Sequence, residues 1–253
     1  MRRAILLWFC FLICGLLPAQ QASEAPHTFA VATIKPSAPD TVTLTQIRGN
    51  RFATEGTTFV DVFKYAYNVN PDQVVGGPGW LRTLKFDILA DPETQERPSS
   101  DQMKVLVQQL LMERFHVSMH RESRVLPVYA LMRTADAPKL TKSTADPAGI
   151  PVVGYNPRGE LEAGNATMAN FATFLQRFAL DRPAVDQTGI VGRFDLVLRW
   201  TPDNARAGES QEDAAAPPGL FTAMKEQLGL RLQPTKAATD VFMIDRVEKP
   251  SEN

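Results

Sequence analysis

The feature of this sequence that most constrains its fold is a turn-and-strand pattern that occurs twice. Its first copy is VVGGPGWL at residues 74–81, a Gly/Pro turn with one tryptophan, followed by the apolar FDILA at 86–90. Its second copy is DQTGIVGRFDLVL at residues 186–198. A pattern that recurs with the same order of elements indicates internal duplication. The chain is therefore predicted to contain two related modules.

From the strand at residues 51–54 onward, the first module is predicted to run strand, helix, strand, helix, strand, strand. Alternating apolar and polar residues with β-forming side chains predict its strands. They are expected at residues 28–34, 41–47, 51–54, 85–89, 114–121 and 125–131. Apolar residues at helical spacing predict helices over 58–67 and 101–115, capped by Thr58 (or Thr57) and by Ser100. The strand at 125–131 is expected to return beside the one at 114–121.

The same order restarts in the second half of the chain. Residues 160–168 align with residues 51–59, so that Thr167 takes the place of the cap Thr58. The FDL of residues 194–196 aligns with the FDI of the first copy. The alternative is two unrelated α+β halves that share common turn residues.

The expected fold class is α+β, in two tandem related modules. They cover residues 28–134 and 150–247, each a small mixed or antiparallel sheet with two helices on one face. Residues 135–149 have low apolar content and two prolines, which indicates a linker, and residues 248–253 are a polar tail. The pattern leaves open whether the modules form separate lobes or share one sheet.

The N-terminus has the pattern of a secretory signal peptide. Two arginines precede an apolar run at residues 4–17, and small residues follow it. The run is shorter than the roughly 20 residues of a membrane-spanning helix. We therefore expect residues 1–22 to be cleaved, no membrane span afterwards, and a periplasmic or secreted protein. Both cysteines, Cys10 and Cys14, lie in this run, so the mature chain lacks disulfides and thiol nucleophiles.

Composition and motifs exclude several function classes. The net charge of −1 and the lack of like-charged blocks argue against a nucleic-acid partner. The chain has no nucleophile elbow, no HExxH helix, no P-loop and no dinucleotide fingerprint. Residues 76–79 are glycine-rich but lack the lysine and helix start that bind phosphate, so they are interpreted as a turn. No catalytic residue, cofactor or metal site is predicted.

Histidines give no metal site. On the predicted strand, the rise of about 3.3 Å per residue places His116 and His120 roughly 13 Å apart, too far for one metal. Exposed strand histidines are the simpler interpretation. His120 still belongs to a polar triplet with Arg121 and Glu122, which makes all three candidate binding residues.

Asp87 and Asp195 are candidates because they hold equivalent places in the two copies. Strand alternation turns both away from their apolar neighbours. Two carboxylates can do acid/base chemistry if they converge; the alternative is that each pairs with a basic group or caps a turn. Trp80 is the last candidate. It lies beside Leu81, which favours a core position over a recognition surface shared with other aromatic residues, namely Tyr65, Tyr67 and Trp200.

Seven stretches together resemble an exported, soil-associated bacterial family of unknown function. They are FAVATIKP (29–36), RFATEGTTFVDVFKYAYNV (51–69), VVGGPGWL to FDILA (74–90), LLMERFHVSMHRESRVLPVYAL (110–131), RPAVDQTGIVGRFDLVLRWTPD (182–203), LFTAMKEQLGLRLQPTK (220–236) and VFMIDRVEKPSEN (241–253). The resemblance implies compartment and domain identity, not chemistry. Some relatives carry a similar region after a membrane metallopeptidase of the antibiotic-sensor type. Relatives tend to have lysine in place of His116, which argues against a shared role for that residue. Each half is also weakly similar to the short N-terminal domains of secretins and TonB-dependent receptors, which mediate protein contacts.

Three functional hypotheses follow. The leading one is an exported, non-catalytic interaction protein whose partner is another envelope protein. The second is an envelope or extracellular hydrolase that uses Asp87, Glu122, Asp195 or His120. The third is a ligand-sensing domain, which the relatives fused to a peptidase suggest. The oligomeric state is not predicted.

Overall fold

The structure is a computed structural model that describes residues 28–134, 137–149, 151–156, 160–201 and 217–251. The expected signal peptide lies outside these residues. The strands are β1 (Phe29–Pro36), β2 (Leu44–Arg48), β3 (Arg51–Thr58), β4 (Val74–Gly76), β5 (Lys85–Pro92), β6 (Ser118–Arg133), β7 (Thr141–Lys142), β8 (Val152–Asn156), β9 (Glu160–Ala166), β10 (Ala184–Asp186), β11 (Phe194–Arg199) and β12 (Leu230–Arg246). The helices are α1 (Phe59–Tyr67), α2 (Ser100–Arg114), α3 (Met168–Phe178) and α4 (Leu220–Leu228).

The strands form three four-stranded sheets, which confirms the α+β class. The first sheet has the order β1-β5-β3-β2 and the third has the order β7-β11-β9-β8, both antiparallel. The central sheet, β10-β6-β12-β4, is mixed: β6 and β12 are antiparallel, whereas β10 and β4 pair in parallel at its edges. Strands from both halves of the chain therefore share the central sheet.

Capping side chains fix where α1 and α3 begin. Thr58 accepts a hydrogen bond from the backbone of Asp61, and the Asp61 carboxylate accepts one from the backbone of Thr58. Thr167 and Asn170 form the same reciprocal box at α3. Such a box satisfies two backbone donors that a helix start leaves open. The predicted caps Thr58 and Thr167 are confirmed, whereas α2 is capped by Ser99, one residue before the predicted Ser100.

The long strands β6 and β12 differ from the sequence prediction. Residues 114–121 and 125–131 were expected to form two neighbouring strands, but one uninterrupted strand extends from Ser118 to Arg133. Its partner is β12, and the pairing continues from Leu230↔Arg133 to Arg246↔Ser118. The polar residues 122–124 resemble a turn in sequence, yet they lie on a two-stranded ribbon that tolerates polar side chains on both faces, with Glu122 and Ser123 exposed and Arg124 partly buried.

The Gly/Pro segment is more than a turn. Val74–Gly76 form β4, which pairs with β12, and Gly79–Arg82 form a short 3₁₀ helix. Gly77 has a φ of 71°, and a Cβ there would lie 2.5 Å from Leu81 Cδ1. The left-handed conformation favours glycine, and a side chain here would also have to displace the Leu81 methyl group. The segment thus contributes an edge strand, β4, to the central sheet.

Two hydrophobic cores lie at opposite ends of the β6–β12 ribbon. The first surrounds Phe59, Phe63 and Phe115 and includes Phe242 from β12. The second surrounds α3 and α4 and includes Leu131 from β6. Each core is therefore completed by a long strand from the other half of the chain. Within the described residues, no helix has the length and apolar character to cross a membrane.

Candidate functional site

Asp87 and Asp195 hold matching bulges in two different sheets. Asp87 Oδ1 accepts a 2.8 Å hydrogen bond from the backbone N–H of Gly56, and Asp195 Oδ1 accepts one of 2.8 Å from Asn165. Gly56 and Asn165 both have positive φ and both lie where β3 and β9 carry one extra residue. The carboxylates satisfy the donors that a bulge leaves unpaired. Their contacts are structural, of the turn-capping type.

The environment of Asp195 favours its ionised form. The backbone N–H of Asn165, and then the hydroxyl of Ser143, donate hydrogen bonds to the carboxylate and lower its pKa. Donors to a carboxylate stabilise the charged state. Asp195 also lines an open groove of about 550 Å³ on the third sheet, together with Glu162 and Val197.

The triplet on β6 is divided between the two faces of the ribbon. His120 Nδ1 donates to the Asp245 carboxylate at 2.9 Å, and Glu122 Oε2 accepts from Arg124 at 3.1 Å. Arg121 points to the other face, where its guanidinium carbon lies 5.0 Å from the ring centroid of Phe242. Strand alternation causes this separation. The triplet is therefore not one compact polar site.

His116 and Trp80 also differ in setting. His116 precedes β6 and has a φ of 47°, so the two histidines do not share a strand as expected. Trp80 is half-buried, and its ring meets Phe59 and Phe86 edge-on at centroid distances of 6.3 and 6.4 Å. These contacts support a packing role for Trp80.

The six sequence-derived candidates are thus not brought together. Asp87 lies on the first sheet, the β6 triplet on the central sheet and Asp195 on the third. Within the described part of the chain, no three His, Cys, Asp or Glu side chains form a group that could hold a metal ion.

Buried polar side chains instead join the ends of α1 and α3. Asn70 and Gln176 are almost fully buried. Gln176 Nε2 donates to the carbonyl of Asn68 at 3.1 Å, and Asn70 Nδ2 donates to the carbonyl of Gln176 at 3.4 Å. A third buried amide, Gln73, donates to the carbonyl of Asp240 on β12 at 2.9 Å. Buried side-chain amides that donate to backbone carbonyls of the other half fix the relative position of the two halves.

A cationic and aromatic cluster lies on the outside of this junction. We call it the α1–α3 surface, and its residues are Lys64, Tyr65, Asn68, Arg177 and Phe178. The Arg177 guanidinium carbon lies 5.2 Å from the Tyr65 ring centroid and 4.6 Å from that of Phe178. Its Nη1 donates to Asn68 Oδ1 at 2.9 Å. Phe178 remains 52% exposed although it is apolar.

Burial alters the ionisation of this cluster. Burial lowers the pKa of Lys64 most, and the charge of Arg177 lowers it further, whereas Asp61 raises it. Burial also raises the pKa of Tyr65, against the opposing charge of Arg177. Both effects follow from the cost of placing charge in a poorly solvated site.

The sequence shows little of this surface. The sequence places Tyr65 among the aromatic residues of a possible recognition surface, but it does not point to Arg177 or Phe178. The contact between Asn68 and Arg177 joins residues that are distant along the chain. The sequence gives no signal for it, because Phe178 continues the helical spacing of the buried Phe171, Phe174 and Leu175, and its exposure is a property of the fold.

The described chain is an α+β protein whose halves share a strand ribbon and meet at a polar junction. Residues 60–247 match the family model described as protein of unknown function (DUF3738). The protein belongs to this family, which confirms the resemblance to a family of unknown function. A comparison with curated proteins found no match, and a comparison with solved structures found none.

Proposed function

We propose that this protein is an exported, non-catalytic binding protein of the bacterial envelope and that the α1–α3 surface contacts its protein partner. The observation that carries the proposal is the Arg177 guanidinium, which lies against the ring of Tyr65 and the ring of the exposed Phe178. Aromatic residues and arginine are enriched at protein interfaces and at their energetic hot spots. A likeness of each half to the contact-making domains of secretins and TonB-dependent receptors would agree with this role.

The polar candidates support a binding role more than hydrolysis. Asp87 and Asp195 hold bulges, His120 pairs with Asp245, and Glu122 pairs with Arg124. A hydrolase of the two-carboxylate type needs two such groups at one scissile bond. Here the carboxylates occupy different sheets.

We also propose that the two halves are related copies. The bulge contacts of Asp87 and Asp195 match, as described above. Val74 of β4 pairs with Phe242, just as Ala184 of β10 pairs with Tyr129. In this interpretation β7 corresponds to β1, so the segment expected to be a linker belongs in part to the second copy.

Site-specific photo-cross-linking tests the binding role. A photo-reactive phenylalanine analogue placed at position 178 is expected to give a discrete adduct in envelope preparations of the producing bacterium. The same analogue at Val42, which is 82% exposed on the described surface, is the control and should give none. Arg177→Ala should reduce the adduct at position 178. Equal cross-linking at both positions, or none at either, would contradict the proposal.

Mass spectrometry tests the export on which the proposal depends. The N-terminal peptide of the protein recovered from the periplasm or medium should begin near residue 23. Recovery of the intact N-terminus from the cytoplasm would refute export.

A further inference from the structure

The cations of the α1–α3 surface have no acidic partner among the described residues. No ion pair within 4 Å involves Lys64 or Arg177. The carboxylates that influence this cluster are hydrogen-bonded elsewhere: Asp61, which raises the pKa of Lys64, accepts two hydrogen bonds from Thr58, and Asp101 pairs with Lys104 at 2.8 Å. Two half-buried like charges repel each other and are poorly solvated, so a counter-charge would stabilise them.

Unused hydrogen-bonding capacity lies at the same place. A guanidinium carries five N–H donors in a planar fork, and Asn68 takes up one of those of Arg177. The Tyr65 hydroxyl is buried and has no hydrogen-bond partner among the described residues. Phe178 adds an exposed apolar wall. The arrangement suits a planar anion that is attached to an apolar group.

We propose that the α1–α3 surface binds a carboxylate of an acidic, aromatic-containing segment of the protein partner, with Arg177 as the direct contact and Lys64 as the second cation. Arginine is the residue best matched to a carboxylate, because its fork makes two parallel hydrogen bonds. The charge complementarity of two unpaired cations selects an acidic segment. This inference rests on the proposed binding function and specifies the chemistry of the partner.

NMR titration of ¹⁵N-labelled protein tests it, with the Arg177 Nε–H signal as the readout and Arg177→Lys to assign that signal. The probe is the peptide N-acetyl-Gly-Glu-Phe-Gly-amide, and its control has Gln in place of Glu. We expect a saturable shift with the Glu peptide and about tenfold weaker binding of the Gln peptide, because the charge-assisted bonds are lost. Followed by backbone signals, binding should weaken in Arg177→Lys and in Lys64→Gln, and remain unchanged in Lys236→Gln, an exposed ribbon control.

Three outcomes would overturn the inference. The first is equal shifts with both peptides. The second is no saturation with the Glu peptide up to about 10 mM, since a millimolar dissociation constant is taken as the weak limit of specific recognition. The third is tighter binding of acetate or inorganic phosphate than of the Glu peptide. The backbone spectrum of each variant must match that of the parent, which separates loss of binding from loss of folding. If cross-linking at position 178 persists while these titrations fail, the binding function stands and only the carboxylate assignment is lost.

Discussion

The carboxylate of Asp195 holds Asn165 in a left-handed conformation within a neighbouring strand. Its pKa is lowered because Asn165 and Ser143 donate to the ionised form. A group with a lowered folded-state pKa stabilises the fold above its unfolded pKa of about 3.9, and this stabilisation disappears as the pH falls through the folded value. Asp195 should therefore stabilise the protein at neutral pH and not in strong acid.

Replacement of Asp195 by Asn tests this dependence. The variant should be less stable than the parent near pH 7, and the gap should narrow as the pH falls below about 4. Urea unfolding between pH 7 and pH 3 measures the gap. Asp61→Asn is no suitable control because it disturbs a helix cap, so Asp40→Asn, at an exposed turn residue, serves instead. A gap that stays constant across this pH range would contradict the argument.

Trp80 illustrates a residue whose aromatic character serves packing. Its ring contacts Phe59 at the start of α1 and Phe86 on β5. Trp80→Ala should lower the free energy of unfolding by about 3 kcal/mol, since large-to-small changes leave a cavity. Trp80→Phe should recover about half of this loss. Denaturant melts measure both, with Val42→Ala as the exposed control; an unchanged stability in Trp80→Ala would assign the ring to the surface.

At the scale of elements, two prolines show how the β6–β12 ribbon is built. The Tyr129 N–H donates to the carbonyl of Pro183 and therefore points outward, that is, away from β12. In an antiparallel pair, every second residue of β6 and the β12 residue opposite it likewise point their N–H groups away from the other strand. Pro127 and Pro234 both lie at such outward positions, because Pro127 is two residues from Tyr129 and Pro234 pairs with it. Proline is tolerated there because its missing N–H would not join the ladder.

Adjacent alanines in β12 provide a matched test of this geometry. Ala237 pairs with Leu126 and should point its N–H inward, whereas Ala238 pairs with Val125 and should point outward. Ala237→Pro is expected to cost at least about 2 kcal/mol through a lost ladder bond and local distortion, and Ala238→Pro much less. Thermal unfolding measures both variants. A similar loss in the two variants would show that the assigned orientation is wrong.

Local signals explain which elements the sequence predicts well. The caps Thr58 and Thr167 lie next to the residues they satisfy, so α1 and α3 are visible in the sequence. The ribbon is not visible, because Glu122 to Arg124 resemble a turn unless their exposure on both faces is known. β7 has two residues, too few to show a period, and it lies in the segment whose low apolar content and two prolines predict a linker.

The candidate site was less predictable than the fold. The sequence pairs Asp87 with Asp195, and each accepts a hydrogen bond from the backbone of a strand bulge, but alternation does not reveal those bulges. The α1–α3 surface depends on contacts between Asn68 and Arg177, which only the docking of the two halves creates. Periodicity describes one element at a time and carries no information about such docking.

At the scale of the whole molecule, the two halves depend on each other. β4 lies in the first half and pairs with β12 of the second, while β10 of the second half pairs with β6 of the first. Phe242 and Ile244 of β12 are buried in the first core, and Leu131 of β6 is buried in the second. Neither half keeps a complete core or central sheet alone, so the intact chain should unfold in one cooperative transition.

Separate expression of the halves tests this interdependence. Fragments 23–136 and 137–253 should each lack a cooperative thermal transition and a dispersed NMR spectrum, because each loses the partner strand of its long β-strand and part of its core. Mixing the fragments should restore both signals, since the ribbon between β6 and β12 can then form. Gln176→Leu, which leaves the buried carbonyl of Asn68 and N–H of Ala184 without partners, should weaken this complementation. A fragment that folds cooperatively alone would show that the halves are independent domains joined only by their surface.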